Sequence, residues 1–189
     1  MKKTVFILLL AALSIPGFSQ KGDLTIGAKG GYVFSPNYYK DILYGIDVAY
    51  RISYPLEIAF TGLLNPKVSY EDINNDKKKL AVYSANIDFR LYLINQREWA
   101  TGPAIGGQYY IVDAKDQDTD FSVGTSKALG FNIGWHLCVN LTDNVKLNGG
   151  WRYTNAKFND KTKWWSSDAA FDVSHHLFYV GIGYTFELK

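Results

Sequence analysis

The stretch LGFNIGWHLCVNL, residues 129–141, decides the fold. Leu129, Phe131, Ile133, Trp135, Leu137, Val139 and Leu141 share one parity, and Gly130, Asn132, Gly134, His136, Cys138 and Asn140 share the other. Period two marks a β-strand, because successive side chains point to opposite faces of a sheet. One face is bulky and apolar without interruption, and the other is small and polar. The fold depends on which of them meets water.

The same alternation recurs in LTIGAKGGYVF (24–34), YGIDVAYRI (44–52), LEIAFTGLL (56–64), YSANIDFRLYL (83–93), WATGPAIGGQYYI (99–111), VKLNGGWRYT (145–154) and FYVGIGYTFEL (178–188). Together these are eight strand candidates, most of about 9–11 residues, the length of a tilted strand that crosses a bilayer. No charge falls on a bulky face. Lys29, Asp47, Arg51, Glu57, Asp88, Arg90, Lys146, Arg152 and Glu187 all lie on the small faces.

The connections alternate as well. Ser53-Tyr54-Pro55, Ile94 to Glu98 and Thr142-Asp143-Asn144 are short. SPNYYKDI, NPKVSYEDINNDKKK, DAKDQDTDFSVGTS and NAKFNDKTKWWSSDAAFDVS are long. All short turns therefore gather at one end of the sheet and all long loops at the other, as in transmembrane barrels with short periplasmic turns. An even strand number puts both termini at the short-turn end, and no periplasmic domain is expected after Lys189.

Length and composition agree with one domain. The chain has 189 residues and a formal net charge of +2, with no basic stripe or nucleic-acid motif, so nucleic acid is not an expected partner. Cys138 is the single cysteine, which excludes an internal disulfide and thiol-rich metal sites. Lys2 and Lys3, the apolar run Val5 to Leu13 and the small, polar segment ending near Gln20 form a secretory signal peptide, residues 1–20. The remaining domain is 21–189. The apolar run is too short for a membrane helix, and no cysteine follows it to carry a lipid anchor.

A soluble β-sandwich or lipocalin-like barrel would turn the bulky face inward. Here that face carries Tyr50, Trp99, Tyr109, Trp135 and Trp151, too much volume for the inside of an eight-stranded barrel. The Gly- and Ala-rich face suits a narrow lumen. The bulky face therefore meets lipid. The aromatics also sort by depth. Tyr50, Tyr54, Trp99, Tyr184 and Phe186 lie near the short turns, and Tyr32, Phe34, Tyr44, Tyr83, Tyr109, Trp151 and Tyr153 near the long loops. Rings at the two water interfaces are the girdles of a membrane barrel. The fold class is all-β: an eight-stranded, antiparallel, up-and-down transmembrane β-barrel of a bacterial outer membrane.

The signal peptide, the eight alternating strands and the final YVGIGYTFELK resemble the small eight-stranded outer-membrane barrels of the OmpA/OmpX transmembrane-domain type. The resemblance covers nearly the whole mature chain. It implies that the last strand, through Tyr184, Phe186 and Leu188, is read by the barrel-insertion machinery. The departure is at the end, where Glu187-Leu188-Lys189 replaces the family's frequent final aromatic. The resemblance is specific for architecture and says little about function.

The nine small-face charges are expected to form a paired network that plugs the lumen, because an unpaired buried charge is costly. With Ser53-Tyr54-Pro55 as a three-residue turn, Ile52 opposes Leu56 and Arg51 opposes and pairs with Glu57; Lys29 and Asp47 form a second pair. His136 beside Cys138 reads as a packed lumen pair. His175-His176 near Ser166, Ser167 and Ser174 would suit lipid-A deacylase-like chemistry, but no motif fixes a nucleophile beside a base. Asp113, Asp116, Asp118 and Asp120 lack the spacing and glycine of a calcium loop and read as solvated. NDKKK (75–79) and KTK (161–163) are loop charges with lipopolysaccharide phosphates or a surface partner as alternative contacts. Trp164-Trp165, in the longest loop, suit a contact anchor, a cap on the barrel mouth or a rest on the membrane.

The expected protein is a monomer without catalytic residue, metal or cofactor. Its partners are outer-membrane lipid and lipopolysaccharide, the insertion machinery and an external protein or surface ligand. The rival readings are a lipid-modifying enzyme, an accessory of a transport or secretion system, and a soluble periplasmic barrel with its faces inverted.

Overall fold

The structure is a computed structural model that describes residues 22–34, 40–71, 77–115, 122–158, 171–172 and 174–188. The expected signal segment 1–20 and Trp164-Trp165 lie outside these residues. Eight long strands dominate: β1 (Asp23–Phe34), β2 (Lys40–Ser53), β3 (Leu56–Glu71), β4 (Lys77–Leu91), β5 (Trp99–Lys115), β6 (Ser122–Asn140), β7 (Val145–Phe158) and β8 (His175–Glu187). Two two-residue strands accompany them. Ile94–Asn95 pairs with the start of β5, and Phe171–Asp172 pairs with the end of β7.

Each long strand is antiparallel to the next, and β8 returns to pair with β1 from Asp23↔Glu187 to Phe34↔His176. The sheet is therefore a closed barrel. Closure leaves no unpaired edge, which a sheet inside lipid requires because hydrocarbon offers no hydrogen-bond partner.

The bulky faces point outward. Ile46 is 63% exposed, Phe131 52%, Ile182 52% and Trp135 46%. Lys29, Asp47, Asp88, Arg90, His136 and Arg152 on the opposite face are buried. In water this arrangement would expose far more apolar surface than a monomer tolerates. Lipid removes that cost, so the apolar belt and the buried charges are two sides of one alternation.

The strands run further than the alternation alone predicts, up to 19 residues in β6. The extra length is at the long-loop end, where β3 reaches Glu71, β4 starts at Lys77, β5 reaches Lys115 and β6 starts at Ser122. The small, polar lumen expected throughout is corrected there. Val33, Leu43, Leu63, Val68, Leu80, Val82, Tyr110, Val112 and Leu177 pack inside as one apolar cluster, while Thr125 and Lys127 face out. At this end the polarity is inverted, apolar inside and polar outside, as in a soluble β-protein.

The β2–β3 turn also differs from expectation. Arg51 does oppose Glu57, but the register shifts after it, so Ser53 rather than Ile52 opposes Leu56. A bulge at a strand end gives this one-residue slip. Ile52 remains on the outer face, 46% exposed.

Candidate functional site

The lumen is the site with chemistry in it. Its centre is built from inward side chains of several strands around Asp47. Lys29 Nζ donates to Asp47 Oδ1 at 2.6 Å. Arg90 Nη2 donates to the two Asp47 oxygens at 3.0 and 3.2 Å, and the Thr61 hydroxyl donates to Oδ1. The other Arg90 terminal nitrogen, Nη1, donates to Glu57 Oε1 at 2.8 Å, and Tyr92 O–H donates to the same oxygen at 3.1 Å. On the other side of β4, Asp88 accepts from Arg152 of β7. All six charged groups are at least 95% buried. Each cation holds a carboxylate, the arrangement that makes buried charge tolerable.

Tyr179 ties this network to the far wall. Its ring lies 4.5 Å from Lys29 Nζ and 5.8 Å from the Arg152 guanidinium carbon, both cation–π distances. Its hydroxyl is 3.1 Å from His136 Nδ1. Two glycines make room for it. Gly31 on β1 and Gly150 on β7 are its direct cross-strand partners. A Cβ on Gly150 would lie 2.6 Å from the Tyr179 hydroxyl oxygen and against the Trp135 carbonyl oxygen. A large inward ring fits a narrow barrel only between neighbours with no side chain.

The expected Arg51–Glu57 ion pair does not form among the described residues. Glu57 stands between two arginines, Arg51 across the β2–β3 ladder and Arg90 across the β3–β4 ladder. The fully buried Arg90 takes it. Arg51 is only half-buried and lays its guanidinium over the Tyr92 ring at 5.4 Å. Glu187 is corrected too. It ends β8 at the short-turn mouth and is exposed, so it is not part of the lumen network. Lys146 is buried but joins no ion pair among the described residues.

Below the charged layer, at the short-turn end, lies a polar cavity of about 360 Å³. Above it lies the apolar cluster already described. His136 and Cys138 are both buried, the histidine with Tyr179 and 5.9 Å from the Tyr92 ring. His176 lies on the outer face, where its Nδ1 accepts from Trp151 Nε1 at 3.2 Å and its ring stacks on that indole. His175 points inward, its ring 5.5 Å from that of Tyr110. Ser174 Oγ accepts from the Ala156 amide, and Ser166 and Ser167 lie outside the described residues. Asp113 accepts from the Thr125 hydroxyl; Asp116, Asp118 and Asp120 lie outside. Among the described residues no group of three or more His, Cys, Asp or Glu side chains could hold a metal. Lys77, Lys78 and Lys79 open β4 rather than lying in a loop. Residues 161–163 lie outside the described set.

Residue reasoning did not pick out Thr61, Tyr92 and Tyr179 as partners of the charges. A signal for Tyr179 was present: inward-facing glycines, Gly31 and Gly150, on the two strands that flank it.

A closed antiparallel barrel of eight strands, with an apolar outer belt, buried internal charge and short turns at one end, is a transmembrane barrel of the bacterial outer membrane. The chain belongs to the family described as the outer membrane protein beta-barrel domain, whose pattern it matches over residues 5–186. Among solved structures it is similar to Neisserial surface protein A, with a TM-score of 0.56 and 20% identity, over 90% of this chain and 99% of that one. It is also similar to a major outer membrane protein from Thermus thermophilus (TM-score 0.60, 12% identity, 88% of this chain and 100% of that one). A third is OprG from Pseudomonas aeruginosa (TM-score 0.55, 13% identity, 89% and 98%). At these identities the likeness is one of fold. A comparison with curated protein sequences gives no match.

Proposed function

We propose that the protein is a sealed, non-enzymatic barrel that holds its long loops at the cell surface for contact with an external partner. The observation that supports this reading is that two layers of side chains occupy the lumen. The Asp47–Arg90–Glu57 and Asp88–Arg152 pairs fill its middle, and the Val33, Leu43, Leu80, Val82, Val112 and Leu177 cluster fills its long-loop end. Eight strands enclose side chains, whereas aqueous channels need more. A large external partner is then left with the loop surface, with Trp164-Trp165 as contact candidates, and the wall meets lipid and lipopolysaccharide.

Single-channel recording of the purified barrel in a planar bilayer tests the seal. The expected record is flat, without porin-like steps; steady open-channel current would refute the plug. Deleting residues 159–170 then tests the surface role. Binding of intact cells to a host or bacterial surface should fall, while outer-membrane level and heat-modifiable gel mobility stay unchanged.

A further inference from the structure

The charged side chains buried among the described residues do not balance. Lys29, Arg90, Arg152 and Lys146 face only Asp47, Glu57 and Asp88. The first three cations each hold a carboxylate. Lys146 is only 7% exposed and makes no hydrogen bond or ion pair among the described residues. It lines the cavity of about 360 Å³ at the short-turn end, with Arg51 and Cys138. An ammonium with no protein counter-charge in range among the described residues, held in a mostly buried side chain at a cavity wall, is a ready site for an anion that enters the cavity.

The rest of the lining narrows the ligand. The half-buried Arg51 adds a second cation at the inner side. A carboxylate, Asp23, is half-buried beside it, and the exposed part carries carboxylates in excess, Glu98, Asp143 and Glu187 against Arg97. The deepest charge is therefore the Lys146 ammonium, Arg51 and Asp23 offset each other at intermediate depth, and the rim is net negative. A dianion such as phosphate is repelled on approach. A zwitterion meets both layers with complementary charge, its carboxylate inward and its ammonium outward. The volume is at the small end of the about 300–1,000 Å³ typical of small-molecule sites, which suits an amino acid or short peptide. The charged layer and Tyr179 close the cavity from above, so a ligand enters and leaves from the periplasmic side.

We propose that this mouth is a binding site for a small zwitterionic solute of amino-acid or peptide type, with Lys146 as the carboxylate-binding group and Arg51 beside it. The test is amide NMR of the refolded mature barrel in detergent micelles. The probes are glycylglycine, acetate, ethylammonium and inorganic phosphate, titrated separately. Glycylglycine should shift the amides of Cys138, Lys146 and Thr185 saturably. Acetate should do so more weakly, and ethylammonium not at all. Lys146→Gln should weaken glycylglycine binding about tenfold or more, the loss expected when a charge-assisted hydrogen bond goes. Lys40→Gln, outside the cavity, should leave it unchanged. Heat-modifiable mobility reports that each variant is folded, and Arg51→Gln serves in place of Lys146→Gln should that one fail to fold. No saturable shift with any probe, or equal binding by wild type and Lys146→Gln, overturns the site. Phosphate binding as tight as that of glycylglycine overturns the zwitterion assignment.

Discussion

Replacing Arg90 by methionine tests the account of the lumen most directly. Arg90 is 1% exposed and bridges two carboxylates, with 2.8 Å to Glu57 and 3.0 Å to Asp47. Methionine fills similar volume without charge. Asp47 would keep Lys29, and Glu57 would keep only the Tyr92 hydroxyl. The variant thus strands one carboxylate in a dry interior. Removing one partner of a buried pair costs about 3–5 kcal/mol. With a urea slope of roughly 2 kcal/mol/M, the unfolding midpoint should drop by about 1.5–2.5 M. The double variant Arg90→Met/Glu57→Gln removes both charges and leaves Lys29 to Asp47 and Arg152 to Asp88. It should regain most of that loss, because replacing a whole pair by neutral groups is nearly free. The assay is urea unfolding of the barrel in phospholipid vesicles, read by gel mobility without boiling. A single variant as stable as wild type, or a double variant less stable than the single, would refute the reasoning.

Two further predictions use the same assay. Gly150→Ala should cost about 1–3 kcal/mol by driving its methyl into the Tyr179 hydroxyl and the Trp135 carbonyl, whereas Gly149→Ala, whose Cβ would meet nothing closer than 3.5 Å, should stay within about 0.5 kcal/mol of wild type. Ile46→Arg, on the lipid face at 63% exposure, should cost about 2–4 kcal/mol, while Leu129→Arg, also outward but near the long loops, should cost only about 0–1 kcal/mol; equal costs would contradict the depth ordering of the belt.

The barrel was legible because lipid and lumen impose opposite demands on successive residues. Across the eight alternating stretches read from the sequence the bulky face carries no charge, and the inner positions Lys29, Asp47, Asp88, Arg90 and Arg152 followed from parity alone. The strand ends were not legible. Above the membrane the rule reverses, so Leu80, Val82 and Val112 on the inside look like breaks in the pattern. The pairing of the charges was only half legible. Hairpin adjacency puts Arg51 opposite Glu57, but Arg90 opposes it on the other side, and the choice between them turns on burial, which the linear order of residues does not carry. Asp88 and Arg152 meet across the bore, from strands three steps apart around the wall. No local spacing announces such a contact.

That cross-bore contact bears on how the wall is assembled. Asp88 and Arg152 are 64 residues apart, and they meet only once β5 and β6 have been laid down and the sheet has curled. An open, half-built sheet in the bilayer carries these charges on a concave face with nothing opposite them. An open sheet carries the cost of these unpaired charges, and closure removes it. Closure of the wall and pairing of its inner charges are thus one step: Arg152 finds its carboxylate only in the closed barrel.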